Sequence, residues 1–233
     1  MRPADALIVL QARMASSRLP GKALRLAAGR TLLARCLERL LARAAAPLVL
    51  ATTQRAEDDA LVDAAGALGV TCMRGPDADV LARFAQVVQL VGPTYVIRAT
   101  ADNPAVDLDG PERVLAHLRG GHVDYVVEQG LPVGTAVEGM RADVLLQAAS
   151  QATDPCDREH VTTFLKRPER RYRTFAPQAP PALRRPDLRL TVDTAADLGW
   201  MHAVLMQAGA GTSTAPLSDI IRAADRLTQR VVA

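Results

Sequence analysis

Aromatic side chains are scarce in this chain: three Phe, three Tyr and one Trp make up 3% of its 233 residues. A protein that binds single-stranded nucleic acid by stacking bases on aromatic platforms is thereby disfavoured. Cysteine is also sparse. Cys36, Cys72 and Cys156 are odd in number and widely spaced, so neither a CxxC zinc site nor a disulfide framework is supported, and Cys36 and Cys72 read as core fillers. No apolar run reaches membrane-spanning length, and the N-terminal residues contain no signal-peptide pattern, so a cytoplasmic protein is expected. Net charge is only +3, too small to require a nucleic-acid or membrane partner.

What the chain has in abundance is aliphatic residues, with 49% of positions hydrophobic. That is enough for one enzyme-sized α/β domain. Strand-like and helix-like patterns alternate. Ala6–Leu10 reads as a buried first strand, and Leu32–Leu41 as an amphipathic helix with Thr31 as N-cap. Strands are expected at residues 47–52, 70–73, 95–100, 123–127 and 188–193, and helices at 57–68, 80–91 and 111–118. This order predicts a mainly parallel, doubly wound sheet. The Pro- and Gly-punctuated stretch from about 128 to 180 is expected to form a small inserted lobe in a single domain covering residues 1–233.

The densest chemistry lies in Gln11-Ala12-Arg13-Met14-Ala15-Ser16-Ser17-Arg18-Leu19-Pro20-Gly21-Lys22, immediately after the first strand. Arginine grips phosphate oxygens bidentately, lysine supplies a point charge, and the N–H groups of a tight loop complete a phosphate cradle. The spacing is neither that of a Walker A loop nor that of a dinucleotide fingerprint. Asp102 is expected at the carboxyl end of a strand, where open α/β sheets place ligands, although Asp-Asn-Pro also occurs as a plain turn. Asp193 ends the 188–193 segment, just before Thr194 and Asp197, which form a capping-box-like pair. A carboxylate at Asp102, facing a phosphate loop, suits Mg²⁺, which takes one or two carboxylates and completes its shell with phosphate oxygens and water.

The run Q-A-R-M-x-S-x-R-L-P-G-K resembles the signature of sugar nucleotidyltransferases, in particular the cytidylyltransferase branch that includes the spore-coat-polysaccharide type and the CMP-Kdo and CMP-sialate synthetases. Further matches are Met73–Phe84, Leu131–Glu138, Thr153–Thr162 and the V-D-T-x-x-D-L element at Val192–Leu198. The resemblance implies a Mg²⁺-dependent transfer of CMP from CTP to an acidic sugar or similar small acceptor. Arg13 and Lys22 would be catalytic, and Gln11, Ala12, Arg13, Ser17, Arg18, Lys22, Thr52, Arg74, Gly75 and Asp102 would hold the nucleotide. Asp102 and Asp193 would bind the metal. Gly134, Glu138, Arg158 and His160 would face the acceptor, with a helix-start or dimer-contact role for Arg158 and His160 as the alternative. Asp79 reads equally well as an N-cap, and Arg83 as a surface or salt-bridge residue. A homodimer is expected. Two other classes stay open: a nucleotide-sugar-dependent glycosyltransferase, which the absence of an Asp-x-Asp motif at Asp102 disfavours, and a non-catalytic nucleotide-binding homologue.

Overall fold

The structure, a computed structural model, describes residues 5–43, 45–209 and 214–232. Its first strand, β1 (Ala6–Gln11), is buried on both faces. Ala6, Ile8 and Leu10 point into one apolar cluster, and Leu7 and Val9 into the other. That alternation shows a strand covered on both sides, which is why the segment carries an unbroken apolar run rather than a polar/apolar alternation. After a short hairpin of β2 (Leu26–Ala27) and β3 (Arg30–Thr31) comes α1 (Leu32–Leu41). The Thr31 hydroxyl caps this helix by accepting from the Ala34 N–H at 3.1 Å. Next come β4 (Leu48–Thr53), α2 (Asp59–Gly66), β5 (Thr71–Gly75) and α3 (Val80–Val91). Asp79 caps α3 through the Ala82 N–H, and Gly92 closes it in the left-handed conformation.

The chain continues through β6 (Tyr95–Thr100), α4 (Gly110–Arg119), β7 (Tyr125–Val127), β8 (Glu138–Arg141) and α5 (Ala142–Gln151). It then forms the short α6 (Pro155–His160) and α7 (Thr163–Lys166), the edge strand β9 (Thr174–Phe175), α8 (Ala195–Gln207) and α9 (Leu217–Val232). The main sheet has seven strands in the order β5-β4-β1-β6-β8-β7-β9. Its β5-β4-β1-β6 half is parallel, whereas β8 runs antiparallel to both β6 and β7. Thus part of the stretch expected as a lobe supplies β8, which is inserted between β6 and β7.

Helices α1, α2 and α4 cover one face of the sheet, and α3, α5 and α7 cover the other. A third cluster joins α8 and α9 to Leu188, Leu190 and Val192. Each Leu, Ile or Val fully removed from water in these layers stabilises the fold by about 1.5–3 kcal/mol. The expected strand at 188–193 is extended, but it forms only an isolated bridge, Arg189 with Val133. Gly134 is what lets these two segments meet. It has φ +91°, and a Cβ there would lie 2.5 Å from the Thr191 Cβ. Val192 donates to the Asp102 carbonyl at 2.8 Å, which brings the end of the 188–193 segment against the end of β6. Among the described residues no helix is long and apolar enough to cross a membrane.

Candidate nucleotide site

A cleft of about 970 Å³ opens at the carboxyl ends of β1 and β6, and the loop after β1 forms one wall. The loop is closed on itself, because Gly21 N–H donates to the Met14 carbonyl and Lys22 N–H to that of Leu19, both at 3.1 Å. It is also pinned from below. Asp58, fully buried, accepts from Met14 N–H at 2.7 Å, Thr53 N–H at 3.1 Å and the hydroxyls of Thr52 and Thr53. Burial pushes the Asp58 carboxyl up, but the Thr53 and Met14 donors, with Thr52, reverse this and leave it below the usual carboxylate range. Pinned at Met14, the loop exposes the N–H groups of Ala15, Ser16, Ser17 and Arg18, which find no acceptor among the described residues. Free N–H groups beside Arg13, Arg18 and Lys22 form a concavity suited to a polyphosphate.

Lys22 joins the loop to Asp102 and Asp193. Its Nζ lies 2.9 Å from Asp102 Oδ2 and 3.2 Å from Asp193 Oδ1, and it also donates to the Val192 carbonyl. Thr100 orients Asp102 by donating its hydroxyl to Oδ1 at 2.6 Å, and Asn103 in turn donates to Thr100. Asp193 also receives Arg18 at 2.8 Å and Arg189 at 2.6 Å. Asp197 forms the reciprocal capping box with Thr194, so it belongs to the start of α8. Among the described residues no group of three or more His, Cys, Asp or Glu could hold a metal. Two carboxylates that converge on one cation beside a phosphate cradle nevertheless fit a hard divalent ion that draws its other ligands from phosphate and water.

Across the cleft, Arg13 reaches Glu159 at 3.2 Å and Asp77 at 3.8 Å. Gln11, Ala12, Ser17 and His160 also line the space. Of the residues expected around the ligands, six do not line this cleft. Thr52 is buried and donates to Asp58. Arg74 pairs with Asp59 and donates to the Thr53 and Arg55 carbonyls. Gly75 packs on α3, where a Cβ would meet Gln86 at 2.7 Å and Arg83 at 2.9 Å. Gly134 serves the crossing with Thr191 described above. Arg158 is held by Asp79, with Nε–Oδ2 at 2.8 Å, and by the Ala149 carbonyl.

Glu138 is enclosed by Arg98, Tyr125, Thr162 and Lys166. Burial pushes its carboxyl up, but Arg98 and Lys166 outweigh this and hold it near 2. Arg83 is not on the surface. It is buried and donates to the Pro76 and Asp77 carbonyls at the cleft wall. The sequence reading missed Asp58, Asp77, Arg98 and Glu159. Asp58 sits in the acidic triplet Glu57-Asp58-Asp59, which by itself signals only a helix start; its contact with Met14 spans 44 positions.

A family model described as cytidylyltransferase matches residues 7–201. The spore coat polysaccharide biosynthesis protein SpsF of Bacillus subtilis is 35% identical over 215 residues, which cover 88% of each protein. A cytidylyltransferase structure from Leptospira borgpetersenii serovar Hardjo-bovis superposes with a TM-score of 0.86 at 22% identity, over 97% of this chain and 95% of that one. The structure of CMP:2-keto-3-deoxy-manno-octonic acid synthetase complexed with CTP superposes with a TM-score of 0.67 at 23% identity, over 87% of this chain and 98% of that one. The two structures share the fold; the family assignment rests on the sequence matches, of which the family model runs from β1 into α8. On their strength the chain belongs to the cytidylyltransferase family, and it is a nucleotidyltransferase.

Proposed function

We propose that this protein transfers CMP from CTP to an oxygen of a small acidic sugar or similar acceptor, releasing pyrophosphate. The observation that carries this reading is the meeting of Lys22, Asp102 and Asp193 beside a loop with unsatisfied N–H donors. The acceptor oxygen attacks the α-phosphorus, and the bond to the bridging oxygen of pyrophosphate breaks. Such a transfer depends on positioning and charge neutralisation rather than on a protein nucleophile. Arg13 and Arg18 take the triphosphate oxygens, Lys22 neutralises the charge that builds on departing pyrophosphate, and the loop N–H groups hold the chain of phosphates in line. Gln11, Ala12 and Ser17, which line the cleft, take the nucleotide, and His160, also on the cleft wall, faces the acceptor.

Asp102 and Asp193 would hold Mg²⁺, which supplies Lewis-acid polarisation of phosphate oxygens when bound. The proposal extends to a homodimer working in the cytoplasm. The test is pyrophosphate release from each nucleoside triphosphate with Mg²⁺ and a panel of acidic sugars. Acceptor-dependent release with CTP supports the reading. Release with another triphosphate alone refutes the cytidylyl assignment, and no acceptor-dependent release with any refutes the transfer.

A further inference from the structure

Glu138 faces four donors that come from different parts of the chain. Arg98 is its direct cross-strand neighbour in β6, Tyr125 comes from β7, and Thr162 and Lys166 come from the α6–α7 region, with Thr162 at 2.9 Å and Lys166 at 2.7 Å. Two of these links run on into the cleft. Arg98 Nε donates to Gln11 Oε1 at 3.1 Å. A guanidinium can only donate, so the amide oxygen of Gln11 must face it and the amide NH₂ is turned away. That NH₂ has no partner among the described residues, and Gln11 lines the cleft.

On the other branch, Thr162 follows Val161, a buried β-branched residue at φ 53°, ψ −54°. The Thr162 N–H donates to the His160 carbonyl, which closes a γ-turn of the strained, positive-φ kind. A conformation of this sort is strained and persists only where its surroundings impose it. Here the imposing contacts are the burial of Val161 and the hydroxyl bond from Thr162 to Glu138. The product of the turn is His160, whose ring lines the cleft and makes no side-chain hydrogen bond among the described residues.

We infer that Glu138 is a positioning residue that fixes Gln11 and His160 relative to one another, through Arg98 on one branch and Thr162 on the other. The reading of Gln11 as nucleotide-facing and of His160 as acceptor-facing rests on the proposed function. The coupling itself does not, and it is tested without substrate. The readout is NMR of the folded protein. The His160 ring signal is assigned by its loss in His160→Asn, and the Gln11 side-chain amide by its loss in Gln11→Met.

Glu138→Gln is expected to move both signals from their wild-type positions. Thr162→Val, which removes only the hydroxyl link, shifts the His160 signal and leaves the Gln11 signal in place. Arg98→Met does the reverse. Thermal melts confirm that each variant is folded, and if Glu138→Gln does not fold the two link variants decide alone. A single-link variant that moves both signals, or neither, overturns the inference, as does a folded Glu138→Gln with both signals unmoved. Failure of the pyrophosphate assay would leave these outcomes unchanged, so the two claims fall separately.

Discussion

Replacing Lys22 with Met removes the one ammonium that stands between Asp102 and Asp193 while keeping most of the side chain's length and apolar stem. The two contacts are 2.9 and 3.2 Å, and the three side chains are 16–29% exposed. At an effective dielectric near 20, each pair is worth several kcal/mol in gross Coulomb energy. Most of that is offset by desolvation. Removing one partner of a buried pair costs about 3–5 kcal/mol, and an exposed pair about 0–1 kcal/mol. This partly shielded cluster lies between, so about 2 kcal/mol is expected.

For a chain of this size that lowers Tm by about 4–8 °C. The variant also leaves Asp102 without a cation and Asp193 with only Arg18 and Arg189, so millimolar Mg²⁺ alone should recover part of the lost Tm. Wild type, with Lys22 already between the carboxylates, should respond much less. Turnover should fall by at least about a hundredfold, the usual effect of losing one donor at a site of developing charge. Differential scanning fluorimetry with and without Mg²⁺, together with steady-state turnover, measures all three. A Lys22→Met protein as stable as wild type, indifferent to Mg²⁺ and nearly fully active would refute the reasoning.

Three further outcomes are expected. Arg13→Ala should lose about a hundredfold in turnover with little change in Tm, because its ion pairs to Glu159 and Asp77 are half-exposed; a large Tm loss would make it a structural residue. Asp102→Asn and Asp193→Asn should each remove most activity, and the double variant should lose little more than the worse single one, as groups acting as a unit do. Losses that multiply in the double variant would contradict a shared ion. Glu138 is depressed from 4.5 to about 2 beside Arg98 and Lys166, so its contribution is fully present above 4.5 and is lost as pH falls toward 2. That contribution is about 3 kcal/mol, and the stability gap between wild type and Glu138→Gln in urea titrations should close over that range; a gap constant with pH would show that the charge is not what stabilises.

The sequence announces those parts of the fold that short-range chemistry controls. The apolar run of β1, the Thr31 cap, the Asp79 start and Gly92 stop of α3, and the Thr194–Asp197 box are all local patterns, and all occur as read. The meeting of the loop after β1 with Asp102 and Asp193 was legible because Asp102 follows β6, the strand beside β1, and Asp193 follows an apolar segment that ends against Asp102. What the sequence hides are pairings over long separations. The insertion of β8 between β6 and β7 is not encoded in β8's own residues.

The 188–193 segment has strand-like composition but meets a neighbouring loop rather than a ladder, so it stays extended with a single bridge. Arg158 and Glu138 looked like ligand-binding residues because polar residues in a motif suggest contact with substrate. Arg158, partly exposed, pairs with Asp79, and Glu138, largely enclosed, pairs with Arg98 and Lys166, so each has protein partners in this structure. Asp58 is the opposite case, an unremarked acidic residue that holds the loop through a contact no local pattern signals.

The central claim is that this cleft moves a cytidylyl group. The most direct measurement uses CTP labelled at its α-phosphate, incubated with Mg²⁺ and a panel of acidic sugars, with the label and the pyrophosphate both followed. The account predicts that label passes into a nucleotide–acceptor conjugate in step with pyrophosphate, and that Lys22→Met slows both together. Label recovered only as CTP or as free CMP, whichever acid is offered, would contradict it.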